Sequence, residues 1–438
     1  MQALRLLRIL NLNKNIHSFK AINMAIGQET INTKFSSYQI LVIILLALTQ
    51  FTVVLDFMVM SPLGDILMKS MDMSTTQFGF AVSSYAFSAG LSGLLTAGFA
   101  DRYDRKKLLL FFYIGFALGT LFCGLTTSYP MLITARIFTG LFGGVIGSVS
   151  MAIVADLFTI GQRGRVMGFM QMGFGASQVL GIPISLYLAN LWGWQSPFLM
   201  IVCLGTIVLL IIMIKIQPIT HHLHVKNDSN AFRHLLNTIA QSHYRLGFLS
   251  TAFLSLGGFM MMPWGSSFSI NNLHITAEQL PLLFMGAGIT SLMIMPVIGK
   301  LSDKIDKFKL FAIASIWMIV VVVIYTHLTP VSFWIVLLFN MFLMVCMMSR
   351  MVPSMALTSA LPEIQDRGAF MSINSSLQQI AGGIAASIGG MIVVQKDKYS
   401  PIENYNILGF VIVVLTIVSI YMLYRVNKLI RRRQIKIN

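Results

Sequence analysis

Long apolar runs separated by short polar links form the main pattern along this chain. Each run is long enough to cross a hydrocarbon layer of about 30 Å as a helix that rises about 1.5 Å per residue. Twelve such runs predict twelve membrane-spanning helices and an all-α polytopic membrane protein. Their boundaries are residues 39–64, 77–100, 107–127, 129–157, 165–189, 197–217, 246–270, 278–301, 308–327, 331–358, 369–394 and 404–424.

One polar link is a charged turn that occurs twice. It has the sequence GFADRYDRKK at residues 98–107 and returns as GKLSDKIDKFK at residues 299–309. Asp101 and Asp303 correspond at an offset of 202 residues. Because charged side chains are expensive inside hydrocarbon, each copy is expected to lie in water as the link between two spans.

Two further matches extend the repeat. FMVMSP at residues 57–62 corresponds to FMMMP at 259–263 at an offset of 202, and QRGRVM at 162–167 corresponds to DRGAFM at 366–371 at an offset of 204. Three matches in the same order indicate an internal duplication. We therefore expect two pseudo-symmetric six-helix bundles around a central cavity.

The longest internal link is rich in histidine and separates the two predicted bundles. Its HHLH run at residues 221–224 has no acidic partner and no i, i+4 histidine pair, so we predict no metal site, with metal binding as the alternative. Met24 is an alternative start of the chain. The predicted divisions are a cytoplasmic extension at 1–38, a first bundle at 39–217, a cytoplasmic linker at 218–245, a second bundle at 246–424 and a basic tail at 425–438.

Composition supports the membrane class. A soluble domain carries about 25% charged residues, whereas this chain carries 11%, with a mean hydropathy of +0.78. The net charge of +16 does not indicate nucleic-acid binding, because 26 of the 31 Lys and Arg residues lie in terminal segments and links assigned to one face. By the positive-inside rule, this asymmetry predicts that both termini are cytoplasmic. The expected location of this multi-pass protein is a bacterial inner (plasma) membrane.

The first charged turn resembles the signature loop of the major facilitator superfamily, G-x-x-x-D-R/K-x-G-R-R/K. The matching residues are Asp101, Arg102, Arg105 and Lys106, and Gly98 lies one position closer to Asp101 than the first glycine of the motif. Asp104 stands in the position of the second glycine of that motif, and Asp306 occupies this position in the second turn. The resemblance covers residues 39–424 and implies two bundles that rock between inward-open and outward-open states.

Three shorter motifs resemble the 12-span drug:proton antiporter and sugar efflux branch of that superfamily. Arg136–Gly140 has the pattern R-x-x-x-G, and Leu55–Asp56 in span 1 is typical of such exporters. Residues 175–183, GASQVLGIP, resemble a degenerate glycine-and-proline motif in which Ser185 replaces an expected glycine. This resemblance implies export of a small organic molecule in exchange for protons.

Two charged residues inside predicted spans are candidates for proton coupling. Asp56 lies within span 1, where a carboxylate costs roughly 2.5–3.5 kcal/mol on insertion scales. We predict that it binds the coupling proton or a cationic substrate; an acid exposed to water at the outer end of the span is the alternative. We predict that Arg136 adjusts the proton affinity of Asp56, directly or through water, with a purely structural ion pair as the alternative.

Arg350 is a second intramembrane cation, deep in span 10, and no acid is evident in the neighbouring spans. Its partner is therefore expected to be an anionic or carboxylate-bearing substrate, and snorkelling toward the inner face is the alternative. Gln178, from the span-5 motif, is assigned to the same central cavity. The thirty methionines of the chain favour an adaptable apolar lining.

A further group of charges is assigned to the inner membrane face. We predict a charge lock that stabilises one conformation and breaks in the other. Its residues are Gly98, Asp101, Arg102, Arg105, Lys106, Asp156, Asp303 and Lys307. A topology signal without a conformational role is the alternative.

Small residues and one proline are candidates for helix packing and bending. Gly140 and Gly144 in span 4 predict close approach of a neighbouring helix. Gly181 precedes Pro183 in span 5, and this proline is expected to bend the span because it removes a backbone donor.

Together these features predict a proton-coupled secondary transporter that acts as a monomer on a small-molecule substrate and uses no cofactor. An importer or uniporter of sugars or metabolites with the same fold is the alternative. A membrane-embedded enzyme would need several histidine clusters at one face, and the chain has one loose cluster. An ATP-driven pump would need a nucleotide-binding loop, and no such motif occurs in the sequence.

Overall fold

The computed structural model describes residues 34–96, 103–220, 223, 231–363 and 366–437, and helices joined by short links make up most of them. The first half contains α1 (Ser37–Val59), α2 (Gly64–Met71), α3 (Thr75–Thr96), α4 (Arg105–Gly124), α5 (Tyr129–Leu157), α6 (Ile160–Ala176), α7 (Ile182–Trp192) and α8 (Ser196–Lys215). Linker helix α9 (Ala231–Ala240) follows. The second half contains α10 (Ser242–Phe259), α11 (Gly265–Asn271), α12 (Leu280–Lys304), α13 (Lys307–Thr326), α14 (Phe333–Thr358), α15 (Arg367–Ile392) and α16 (Tyr405–Ile437).

Eleven helical segments of the described chain are long and apolar enough to cross a membrane. The segment at predicted span 11, α15, has 26 residues but is not one of the eleven. Its lower hydropathy has a physical reason, because Asn374, Ser375 and Gln378 of this helix line an internal cavity rather than face lipid. The all-α polytopic fold is confirmed, and the count of twelve spans stays a prediction.

The first helix of each half breaks at the same place in the repeat. α1 ends at Val59, and Pro62 lies in the turn that precedes α2. α10 ends at Phe259, and Pro263 lies in a 3-10 turn that precedes α11. The predicted runs 39–64 and 246–270 are therefore each interrupted near a proline, because a proline cannot supply the backbone donor that continues an α-helix.

Span 5 contains a π-helical segment at Ser177–Gly181, directly before α7. Pro183 therefore lies at the start of α7, and the irregular backbone comes before the proline. A Cβ on Gly181 would lie 2.7 Å from Leu55 of α1, and a Cβ on Gly288 of α12 would lie 2.9 Å from the Gln178 backbone. The π-helical segment is thus in close contact with the first helix and with the second half.

Glycines in α5 allow this helix to pack closely on α3. A Cβ on Gly140 would lie 2.0 Å from the Ser88 hydroxyl oxygen, and a Cβ on Gly144 would lie 2.4 Å from the Ala89 carbonyl oxygen. Gly147, one turn further along the same helix, has nothing within 4 Å of its Cβ position. Close packing of α5 on α3 therefore requires glycine at positions 140 and 144 but not at position 147.

The two halves join at the membrane face that carries Asp65 and Asn271, here named the distal face. Asn271 Nδ2 donates to Asp65 Oδ1 at 2.7 Å, while Lys69 Nζ donates to Asp65 Oδ2 at 2.8 Å and to Asn271 Oδ1 at 3.3 Å. Ser61 Oγ donates to the Met262 carbonyl oxygen. These contacts connect α1 and α2 to the corresponding elements of the second half.

A second contact between the halves runs along α3 and α15. Thr75 Oγ1 donates to the Val393 carbonyl oxygen at 2.8 Å, and Ser83 Oγ donates to the Gly383 carbonyl oxygen at 2.8 Å. The opposite membrane face is named the linker face. It carries Asp104 and the short polar links on that side of the chain.

We predict that Gly144→Ala lowers the thermal midpoint of the purified full-length protein by several degrees. The added methyl group would overlap a backbone carbonyl, and overpacking of this kind costs about 1–3 kcal/mol. Gly147→Ala is the matched control in the same helix and should leave the midpoint unchanged or slightly raised. Equal midpoints for the two variants, measured in one detergent, would contradict the packing role.

Candidate functional site

An ion pair between Asp56 of α1 and Arg136 of α5 lies inside the first bundle. Arg136 Nη1 donates to Asp56 Oδ2 at 2.9 Å and approaches the Asp56 carbonyl oxygen at 3.4 Å. Both side chains have 0% solvent exposure. The alternative of an acid exposed to water at the end of span 1 is therefore wrong, although Asp56 lies within the last turn of α1.

Neighbouring helices complete the surroundings of this pair. Thr120 Oγ1 of α4 donates to Asp56 Oδ1 at 3.1 Å, and the Arg136 guanidinium carbon lies 4.5 Å from the centre of the Tyr85 ring of α3. Hydrogen bonds and a cation–π contact both stabilise buried charge. Among the described residues, however, Arg136 Nε and Nη2 have no hydrogen-bond partner.

A cavity of about 490 Å³ lies mainly against the second half. Met58, Pro62, Phe174, Gln178 and Ile182 are its lining residues from the first half, and the others come from residues 251–405. Its lining reaches Thr358 at the end of α14 and Met371 near the start of α15, on the linker-face side. A volume of this size can hold a drug-sized molecule.

The cavity contains two of the four residues predicted for it. Gln178 and Arg350 line it, whereas Asp56 and Arg136 do not. The expectation that Asp56 contacts a cationic substrate in the cavity is therefore wrong for this conformation, because its carboxylate points into the first bundle toward Arg136 and Thr120. Asp56 is nevertheless separated from the lining residue Met58 by a single residue.

Arg350 has 2% exposure, which contradicts snorkelling to the membrane face. Its Nε donates to Ser315 Oγ at 3.0 Å, and its guanidinium carbon lies 5.6 Å from the centre of the Phe311 ring. Gln178 is also buried, and its Nε2 lies 3.9 Å from Met58 Sδ. Both side chains have one polar atom without a partner in the described part of the chain: Arg350 Nη2 and Gln178 Oε1.

The structure also brings together part of the predicted charge lock. Arg105 Nε donates to Asp156 Oδ2 at 3.2 Å, joining the start of α4 to the end of α5 at the linker face. Lys106 Nζ donates to the Met213 carbonyl oxygen at 2.9 Å. Gly98, Asp101 and Arg102 lie outside the described residues.

The second copy of the lock is not formed as predicted. Lys307 Nζ donates to the Ser302 carbonyl oxygen at 3.2 Å, and no ion pair involves Asp303 or Lys307 within the described ranges. The sequence explains this difference: at the offset of 204, the counterpart of Asp156 is Ala360, which carries no charge. The ion pair of the second turn instead joins Asp306 Oδ2 to Arg431 Nη2, at 2.6 Å.

The aspartates that replace glycine in the two turns are helix caps. Asp104 Oδ1 accepts from the backbone N–H groups of Lys106 at 2.9 Å and Ile219 at 3.0 Å. Asp306 Oδ1 accepts from the Lys309 N–H at 2.9 Å. Partial burial opposes ionisation of Asp306, but the Lys309 N–H and Arg431 outweigh it and lower the pKa of this carboxyl. Aspartate is a favoured N-cap residue, and this preference was a signal available in the sequence.

Other site residues were not predicted from the sequence. Tyr85 and Thr120 lie in apolar runs, where single polar residues are common, so nothing distinguished them before their helices were placed around Asp56. Asp65 was in a predicted outer link, and its Asn271 partner lies 206 residues away. Of the histidine run, His221, His222 and His224 lie outside the described residues.

Comparison with known proteins identifies the family of this architecture. A sequence profile described as Major Facilitator Superfamily matches residues 46–386 and 247–436. The MFS-type transporter YceJ of Bacillus subtilis (strain 168) is 26% identical over 262 residues, which are 59% of this chain and 66% of the relative. The MFS-type transporter YbcL of the same organism is 24% identical over 384 residues, which are 86% of this chain and 95% of the relative.

A solved structure has the same fold. It is a bacterial homolog of the human lysosomal transporter Spinster, in an inward-facing and unoccupied conformation, with a TM-score of 0.73 and 15% sequence identity. The likeness covers 91% of this chain and 99% of the other chain and concerns the fold alone. With a matching family profile, a duplicated helical fold and a cavity between its halves, the chain belongs to the Major Facilitator Superfamily of membrane transporters.

Proposed function

We propose that the protein exports a small organic molecule by proton antiport and alternating access, with Asp56 as the proton-binding group. The observation that carries this proposal is the fully buried Asp56–Arg136 ion pair, in which Asp56 lies two residues before the cavity-lining residue Met58. An ionisable pair inside a membrane bundle is costly, and it is a functional site by default.

Protonation of Asp56 would change the stability of its surroundings. The neutral acid no longer balances Arg136, whose Nε and Nη2 already have no partner in the described residues. A buried charge that loses its counter-ion is destabilised by about 3–5 kcal/mol. The protein can lower this cost by moving α1 relative to α5, and such a movement would expose Asp56 to a different side of the membrane.

The position of Asp56 in α1 provides a connection to the distal face. Ser61, in the turn after α1, donates to the Met262 carbonyl oxygen, and its own carbonyl oxygen accepts from Ser266 Oγ at 2.9 Å. These bonds join the two halves close to the ion pair. We propose that movement of α1 on protonation opens these distal contacts, while the Arg105–Asp156 pair stabilises the linker-face arrangement of the first bundle.

The distribution of Lys and Arg supports a cytoplasmic linker face and two cytoplasmic termini. In this orientation the cavity, which reaches Thr358 and Met371, extends toward the cytoplasm, as an exporter requires before it loads its substrate. An importer or uniporter passes through the same conformation, so the direction of transport has to be measured. The protein is proposed to act as a monomer in the lipid bilayer, without enzymatic activity.

The proposed function can be tested in an efflux-deficient bacterial host that produces the full-length protein. A compound panel should contain molecules whose efflux depends on the protein and stops when a protonophore removes the proton gradient. Reconstituted vesicles with a trapped pH-sensitive dye should then show proton movement opposite to the compound. Accumulation of the compound instead of efflux would support an importer, and transport without proton movement would support a uniporter.

Loss of the Asp56 carboxylate should abolish proton coupling. We expect Asp56→Asn to lower proton-driven efflux at least tenfold, because the amide cannot bind and release the coupling proton. This variant leaves Arg136 unpaired, so the double variant Asp56→Asn/Arg136→Gln is needed as a control without a buried charge. The double variant should fold, bind a compound and still show no compound-driven proton movement. Full proton-driven efflux in either variant would reject Asp56 as the coupling group.

Removal of the linker-face ion pair should block transport without preventing folding. We expect Arg105→Ala to reduce efflux at least tenfold at an unchanged protein level in the membrane, because Asp156 loses a partner that holds α4 to α5. Lys107→Ala removes an exposed basic residue of the same turn and should have little effect. A lower membrane level of Arg105→Ala, with normal efflux per molecule, would indicate a topology signal instead.

A further inference from the structure

We propose that Arg350 binds the acidic group of the transported molecule, and that the substrates are amphiphilic organic anions with one carboxylate and an apolar body. This inference rests on the proposed transport function and specifies its substrate class. It depends on three observations: the missing counter-charge of Arg350, the composition of the cavity lining, and the chemical asymmetry of the duplicated halves.

Arg350 has a hydrogen bond but no opposite charge. Its Nε donates to Ser315, and its Nη2 has no partner in the described part of the chain. No carboxylate of the described residues forms an ion pair with it, although it has only 2% exposure. A guanidinium stays charged when buried, so its charge has to be balanced from outside the protein. The planar guanidinium fork matches a carboxylate group.

Arg136 is another buried guanidinium of the chain, and its counter-charge comes from the protein itself. Its charge is balanced by Asp56 at 2.9 Å, and it does not line the cavity. At the offset of 204 residues, the counterpart of Arg136 is Asn340, and the counterpart of Arg350 in the first half is Ile146. Arg350 therefore has no charged counterpart in the first half, and it lines the cavity, where a ligand can reach it.

The remaining lining restricts what such a ligand can be. Arg350 is the only charged side chain among the described residues that line the cavity. Ten methionines contribute to the walls: Met58, Met261, Met262, Met318, Met344, Met347, Met348, Met351, Met355 and Met371. Methionine adapts to apolar groups of different shape. The amino group of a cationic or zwitterionic molecule would have no counter-charge in the cavity. A lipophilic acid would pack its apolar body against the methionines and pair its carboxylate with Arg350.

Two amides are suitable for a neutral polar group on the same molecule. Gln178 Oε1 and Asn374 Oδ1 lie in the lining without hydrogen-bond partners in the described residues. Gln178 comes from the first half, and Asn374 comes from the second. A hydroxyl or amide donor on the ligand would therefore bind both halves once its carboxylate is placed at Arg350.

The test uses the purified full-length protein in lipid nanodiscs and a set of arylalkanoic acids of increasing size, each with its matched primary amide and amine. Wild-type protein should bind at least one acid tenfold or more tightly than its amide and amine. Arg350→Gln should remove this preference by weakening acid binding at least tenfold, with amide binding unchanged. Arg425→Gln, at an exposed arginine bonded to Tyr421, is the matched control and should behave as wild type.

A second readout does not depend on the choice of acid. Because Arg350 is a buried charge without a counter-ion, Arg350→Gln should raise the thermal midpoint of the ligand-free protein. A structural role for Arg350 predicts the opposite shift. The inference is overturned if no acid is preferred over its amide by wild type, if Arg350→Gln keeps the preference, or if Arg350→Gln lowers the midpoint or does not fold.

Failure of this inference can be distinguished from failure of the proposed function. Protonophore-sensitive efflux of neutral or cationic compounds, unaffected by Arg350→Gln, would overturn the substrate class and leave proton antiport intact. Conversely, acid binding that depends on Arg350, combined with transport that moves no protons, would support the anion site and contradict proton antiport. The Asp56→Asn/Arg136→Gln variant should retain the acid preference, because its substitutions lie outside the cavity lining.

Discussion

A charge placed inside a membrane bundle has to be balanced by an opposite charge, and the first bundle is built around this requirement. Asp56 and Arg136 meet at 2.9 Å with no solvent exposure. Thr120 and the Tyr85 ring supply the remaining polar contacts from two other helices. Close packing at Gly140 brings α3 and α5 together beside the pair. Side chains of α1, α3, α4 and α5 therefore meet at one buried ion pair.

The two halves resemble each other in backbone structure more than in the positions of their charged side chains. Both halves have a broken first helix and an aspartate-capped charged turn, but the charges differ. At the repeat offsets, Gly258 and Asn340 stand in the places of Asp56 and Arg136. The first half thus holds a balanced pair away from the cavity, while the second half presents the unbalanced Arg350 to it. In the proposed mechanism, the first half binds the proton and the second half supplies the charged contact to the substrate.

The sequence predicted features that depend on local pattern or composition. Hydropathy predicted the all-α polytopic fold, and intramembrane charge directed attention to Asp56, Arg136 and Arg350. Hydropathy did not predict the helix breaks near Pro62 and Pro263, because apolar turns and apolar helices look alike in such a profile. Two features could not be predicted without the packed structure, because both depend on which helix faces meet. They are the contacts between distant segments, such as Asp65 with Asn271, and the position of Asp56 behind the cavity.

In the proposed mechanism, the energies of the interactions would allow protonation of Asp56 to control the distal contacts. Leaving Arg136 without its counter-ion costs about 3–5 kcal/mol, whereas an ordinary hydrogen bond contributes about 0.5–1.5 kcal/mol. In the described chain, the hydrogen bonds between the halves in this region are few: Ser61 with Met262, Ser266 with Ser61, Asn271 with Asp65, and Lys69 with Asn271. Protonation of Asp56 is therefore comparable in energy to breaking this set. When the free energies of two conformations differ by only a few kcal/mol, one proton can change which conformation is favoured. This holds provided that neither conformation lacks both the distal contacts and the ion pair.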